Sequence, residues 1–297
     1  EATSGNTGIG LAMVCAAKQG GSIGSGKTSC DPGLTLCGSS CVDVSKDSQN
    51  CSACGAACAT RANAAATCAT SACSWACNQG WVDLNADLQS KTTSDGCECH
   101  ATDPNDKPDT SFADTNCDGI DGTIANAIFV ATSGNDADPG TMQKPVATIG
   151  KGMQLAAAAN PTKDVYVSKG TYTESLTLAS GVSLYGGFDA SNNWSRAITN
   201  NTVVQAPSST AIFGKGLTAD AEIQLLNVTA ADAVAPGCSS YGILVVGSPA
   251  NTIKVSACKL TAGNGRAGVA GASGGAGASG GKGCNGTDSG TPAGWNS

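Results

Sequence analysis

Histidine occurs once in this chain, aromatic residues make up only 4% of it, and charged residues only 13%. Such a composition is not that of an ordinary cytosolic enzyme. No apolar run is long enough to cross a membrane, so no transmembrane segment is expected. Basic residues are too few to outweigh the acids: the net charge is −7, which argues against nucleic acid as a partner. What the 297 residues do have is 16 cysteines and 40 glycines. That many cysteines points to an oxidising compartment, so a secreted or cell-surface location is expected, with any export leader removed.

The first residues carry two motifs of enzymes. TSGNTGIGLAMVCAAK (Thr3 to Lys18) resembles the substrate-carboxylate loop of the cysteine synthases, which use pyridoxal phosphate. In that family the turn opens a helix whose free amides hold an anion. The resemblance covers about the first 20 residues, and no second Gly/Thr-rich phosphate cup follows, so no pyridoxal phosphate is expected. GSIGSGKT (Gly21 to Thr28) fits a phosphate-binding loop, but that loop needs a helix opening at its Lys-Thr. Here SCDPGLTLCG follows, and Pro32-Gly33 is a turn signal. No nucleotide is expected; residues 1–28 read as a helix (about Gly8 to Lys18) and a flexible linker.

Charge and cysteine are unevenly spread. Residues 1–123 hold 14 acidic and 6 basic residues and 13 cysteines; residues 124–297 hold 9 acidic, 10 basic and 3 cysteines. The shift marks a domain boundary near Gly122-Thr123. The expected order is a segment 1–28, a Cys-rich module 29–60, a second module 61–123 ending in an acidic joint, and a β-rich domain 124–297.

The Cys-rich modules have too few large apolar residues for a core, so covalent staples must hold them. Disulfides are expected at Cys30, Cys37, Cys41, Cys51, Cys54, Cys58, Cys68, Cys73, Cys77, Cys97, Cys99 and Cys117, with connectivity open. The alternative for Cys37, Cys41, Cys51 and Cys54 is a zinc site. The odd cysteine count on each side of the boundary requires a bridge between the halves if every cysteine pairs, with Cys15 the natural odd one out and Cys284 reaching back to the first half. His100, in CECH, lacks haem-attachment spacing and reads as exposed or as a metal ligand.

Acids crowd the end of this half. In DTNCDGID, Asp114, Asn116 and Asp118 stand at alternate positions and Gly119 follows. That spacing sets three side-chain oxygens around one hard cation, with the Ile120 carbonyl and Asp121 next in line. Calcium is the expected ion, against the alternative of a solvated acidic linker. The twelfth position is Ala125 rather than Glu, so the pattern resembles thrombospondin-type calcium loops more than a helix–loop–helix hand. DLNAD, with Asp83, Asn85 and Asp87, is a weaker copy without the glycine.

From Ala127 short β-rich runs recur, each closed by Gly, Ser or Asn. Helical periodicity appears once, over Ala147 to Ala159, and a capping helix is expected there. Many short strands allow a sandwich, a barrel or a solenoid. We choose a solenoid, with Val165, Val167, Leu176, Leu178, Val182 and Leu184 as inward ladders and strands recurring at irregular spacings of roughly 20 residues, as coils with variable turns do. The segments IFVATSGNDADPGTMQKPVATIGKGMQLAAAA and DVYVSKGTYTESLTLASGVSLYGGFD resemble the opening of a right-handed parallel β-helix family. That family occurs in secreted and surface proteins of myxobacteria and related delta-proteobacteria, whose Cys-rich modules and acidic joint precede the helix in the same way. The resemblance covers about residues 29–285. It implies a fold and a location, since the activity of that family is largely unknown.

Other parallel β-helices cleave polysaccharides, which needs clustered carboxylates. The acids here are scattered, and Asp220 with Glu222, on one strand parity, is the best pair. Cys238 and Cys258, 20 residues apart, are about one coil apart and are expected to bridge. Glycine recurs at every third position over 265–283 without proline, which reads as a flexible loop or as an extended threefold strand packed by its glycine edge. The final CNGTDSGTPAGWNS shows no sorting signal, and the native chain is expected to continue or to have been trimmed there. The expected function is a non-enzymatic structural or adhesive surface protein, self-associating into filaments or bound to surface proteins or glycans. The rival is a glycan-binding or polysaccharide-cleaving protein.

Overall fold

The computed structural model describes residues 29–248, 253–275, 277, 279 and 280. The proposed helix at Gly8 to Lys18, Cys15, the Gly21 to Thr28 motif and Cys284 lie outside the described residues. The described residues are mainly β, with one α-helix and a disulfide-rich first part.

Three small antiparallel hairpins make that first part: β1 (Thr35–Cys37) with β2 (Ser40–Val42), β3 (Ala64–Ala69) with β4 (Ala72–Cys77), and β5 (Trp81–Val82) with β6 (Cys99–His100). All twelve cysteines from Cys30 to Cys117 are oxidised, as Cys30–Cys41, Cys37–Cys54, Cys51–Cys68, Cys58–Cys73, Cys77–Cys97 and Cys99–Cys117. The four candidate zinc cysteines are thus shared among three bridges, which leaves no thiolate for a metal. Two bridges, Cys51–Cys68 and Cys58–Cys73, cross residue 60 and join the two Cys-rich stretches. The buried apolar cluster here is built from Cys51, Cys58 and Cys68, with Trp75 against it. Arg61 lies 3.7 Å over the Trp75 ring, covering its outer side.

The second part winds through three parallel sheets in rotation. The first holds β7 (Ala127–Val130), β8 (Asp164–Ser168), β11 (Leu184–Asp189), β15 (Ala221–Gln224) and β18 (Ile253–Ser256), with β12 (Ser195–Arg196) antiparallel to β11. The second holds β9 (Gly170–Tyr172), β13 (Thr202–Gln205), β16 (Asn227–Thr229) and β19 (Lys259–Thr261). The third holds β10 (Leu176–Thr177), β14 (Thr210–Lys215) and β17 (Tyr241–Val246). From β8 onward the chain visits first, second and third sheet in turn. The six ladder residues expected to point inward all sit in one core, with Ile128, Val130, Ile212, Ile223 and Val228. The recurrence is longer and less even than about 20 residues. Val165, Leu184, Ile223 and Val255 align, at steps of 19, 39 and 32 residues, because loops of different length leave the corners.

The helix α1 (Ile149–Ala158) lies over β7, β8 and β10 and buries Ile149, Met153 and Ala156 in the core. Its first amides are unusually well matched. Thr148 accepts from Lys151 N, and the Glu174 carboxylate accepts from Ile149 N and Gly150 N, both at 2.8 Å. At the other end, Val255 and Leu260, on the last described strands β18 and β19, are 41% and 44% exposed.

The expected Cys238–Cys258 bridge is absent; among the described residues neither thiol is paired. Cys238 precedes β17 of the third sheet, whereas Cys258 turns between β18 and β19, so the two stand at different corners. Among the described residues no bridge joins the two parts. The glycine-rich strand is exposed. Of its described glycines only Gly265 approaches the chain, at Cys238, while Gly268, Gly271, Gly274, Gly277 and Gly280 face open space. Among the described residues the glycine edge therefore packs on nothing beyond Gly265.

Candidate functional site

The outer face of the first sheet is a second apolar cluster: Phe129, Tyr166, Tyr185, Phe188 and Trp194 with Ile120 of the joint. Sheet alternation explains it, because residues next to the inward ladder point out. The joint can lie this close only through Gly122, whose φ is +118° and where a Cβ would meet the Tyr166 hydroxyl at 2.5 Å.

Of the predicted cation ligands, Asp114, Asn116 and Asp118 share one loop. Asp114 accepts from Asp118 N at 3.2 Å and Gly119 N at 2.8 Å, and Asn116 Oδ1 accepts from Asp118 N at 3.0 Å. Burial raises the Asp118 pKa, while the Ile124 and Ile120 amides pull it down. Ile120 anchors its side chain in the outer cluster. Asp121 is turned elsewhere: it forms a buried ion pair with Arg196 Nη1 at 2.8 Å. Arg196 also reaches the Asp109 carbonyl, the Gly186 carbonyl and Gln224 Oε1. Sequence spacing placed Asp121 beside the loop because its true partner is 75 residues away.

DLNAD folds as a copy of that loop. Asp83 accepts from Asp87 N at 3.2 Å and Leu88 N at 2.9 Å, and Asn85 Oδ1 accepts from Asp87 N at 3.0 Å. The fourth position is left-handed in both, Cys117 at φ +59° and Ala86 at φ +57°. One oxygen each of Asp83, Asp87 and Glu98 lies within 4.8 Å of the others. Glu98 escaped the sequence reading because Cys77–Cys97 brings it there, not local spacing. His100 stacks on Trp81, centroids 4.9 Å apart, and meets no cysteine thiolate.

A cleft of about 270 Å³ opens beside the joint, lined by Lys107, Ser183, Tyr185, Asp220, Ala221, Glu222 and Lys254. Glu222 and Lys254 pair across β15 and β18, and Ser183, just before β11, donates its N–H to Asp164 and accepts from Glu222 N. Glu222 Oε1 accepts from Ser256 Oγ at 2.7 Å and Gln224 Nε2 at 3.0 Å, and Lys254 Nζ lies 3.0 Å away. Burial would raise the Glu222 pKa, but these three partners outweigh it and hold the carboxyl ionised. Burial raises Asp164.

The fold and these sites define a disulfide-rich, mainly β protein with parallel sheets. A family model described as a protein of unknown function (DUF1565) matches residues 132–235, about a third of the chain. The match spans α1 and the strands from β8 to β16. No curated protein and no solved structure matches the chain.

Proposed function

We propose that this chain is an extracellular, non-enzymatic structural or adhesive surface protein. In this reading a disulfide-stapled base and a calcium-organised joint carry a right-handed parallel β-helix that self-associates at its open end. One observation carries it: the chain rotates through three parallel sheets, the last described strands leave Val255 and Leu260 partly exposed, and α1 covers the other end. Right-handed crossovers are the rule for parallel strands. Unpaired strand edges with apolar rungs are the usual route to strand-by-strand association. The matched family is one associated with β-helix proteins, which supports the architecture. The six bridges support an oxidising location. The two loops of one hydrogen-bond pattern support calcium, held by Asp114, Asn116 and Asp118 and by Asp83, Asn85, Asp87 and Glu98.

The test is light scattering and negative-stain microscopy of the purified chain in calcium and after chelation. Elongated assemblies in calcium that shorten on chelation are expected; single particles in both conditions would overturn the self-association. Terbium luminescence reports the loops separately. Two binding events are expected, each lost in D114N or D83N respectively, and an absence of terbium binding would remove calcium from the reading.

A further inference from the structure

We infer that the cleft on the outer face of the first sheet is a binding site for one uncharged sugar ring of a glycan. This deepens the adhesive form of the proposed function and rests on it. Its floor is rigid. Tyr185 is 2% exposed, Ser183 is buried, and the Tyr185 hydroxyl lies beside the Ser183 side chain. Its walls come from far apart in the chain: Lys107 from the joint, Asp220 and Glu222 from β15 and the loop before it, Lys254 from β18.

The hydrogen-bonding capacity of these walls is only partly used. Glu222 spends Oε1 on Lys254, Ser256 and Gln224, and among the described residues nothing bonds its Oε2. Asp220 and Lys107 engage no hydrogen-bond partner among the described residues. Acceptors and donors therefore face one small space together. A sugar hydroxyl both donates and accepts, so it suits carboxylate, ammonium and phenol at once. Charge selects against the other ligand classes. A polyanion meets Asp220 and Glu222; a polycation meets Lys107 and Lys254. A metal ion is disfavoured because these two carboxylates belong to no group of three ligating residues among the described residues. The volume of about 270 Å³ falls just below the ~300–1,000 Å³ that encloses drug-sized ligands, which fits one ring of a longer chain.

The test uses calorimetric titration of the whole chain with cellotetraose, mannotetraose and a β-1,3-glucan tetraose. Tetragalacturonate and chitosan tetramer serve as the anionic and cationic probes. Binding of at least one neutral tetraose is expected, weakened tenfold or more in D220N and in K107A. V234S, an exposed change away from the cleft, should bind as the parent does. Both cleft variants alter exposed side chains, and unchanged melting temperatures would show them folded. Binding of none of the neutral probes, preference for a charged tetramer, or unchanged affinity in both variants would overturn the site. Particle length measured on the same samples reports the assembly separately. Release of reducing ends from a bound tetraose would keep the sugar site while overturning the non-enzymatic reading.

Discussion

Arg196 concentrates more of this structure's logic than any other residue. Its side chain is fully buried, and it holds the joint, β11 and β15 together through Asp109, Asp121, Gly186 and Gln224. A buried guanidinium needs its counter-charge, and removing one partner of such a pair costs about 3–5 kcal/mol. Burial pushes Asp121 up to about 6, against the pull of Arg196. Because this lies above the unfolded value of 3.8, the native state holds a proton that the unfolded chain has lost between about pH 4 and 6. The group's contribution to stability is therefore greatest below that window and declines as pH rises through it, by on the order of 2–3 kcal/mol. Urea unfolding with bridges intact should show this decline in the parent. In D121N it should be missing, and the whole curve should sit lower at pH 7. An unchanged slope in the variant would show that Asp121 does not titrate there.

The elements were legible to the extent that their signals are local. Alternation in DVYVSKG and VSLYGGF marks strands, and the inner ladder follows from it. The helix from Ile149 to Ala158 falls inside the window of helical periodicity. What anchors the helix was hidden, since its first turn contains no acid and its counter-charge, Glu174, arrives from 25 residues on. E174Q should lower stability by about 1 kcal/mol, from weaker bonds to the helix N-terminus. In a chain of this size that is roughly 2–4 °C in melting temperature, readable by calorimetry. The outer face was hidden for the same reason. Phe129, Tyr166 and Phe188 alternate with the inner residues, but nothing nearby in sequence says that Ile120 and Trp194 cover them. The cleft too draws residues from 107 to 254, so only Asp220 and Glu222, two residues apart in sequence, could be paired in advance. Cysteine spacing misled where the coil length was misjudged, as at Cys238 and Cys258.

At the scale of the molecule, the last described strands carry apolar side chains that are partly exposed. The rungs Val255 and Leu260 continue core ladders through Ile223 and Val228 and then face solvent. Two lysines there, V255K with L260K, should abolish the assemblies while leaving the monomer's melting temperature nearly unchanged, since both side chains are more than a third exposed. Scattering and calorimetry on the same sample check both halves of that expectation.

The bridges of the first part have a mechanical meaning. The first four overlap along the chain, and a pull between residues 29 and 124 would run through every bridge but Cys51–Cys68. Only the short backbone stretches 37–41, 54–58, 73–77 and 97–99 and the residues after 117 would then carry tension. The remaining chain, including the DLNAD loop, hangs slack beside that path. The first part is thus a short leash that, once that path is straight, cannot lengthen without breaking a covalent bond, and drag on the β-rich part would pass through it almost undamped.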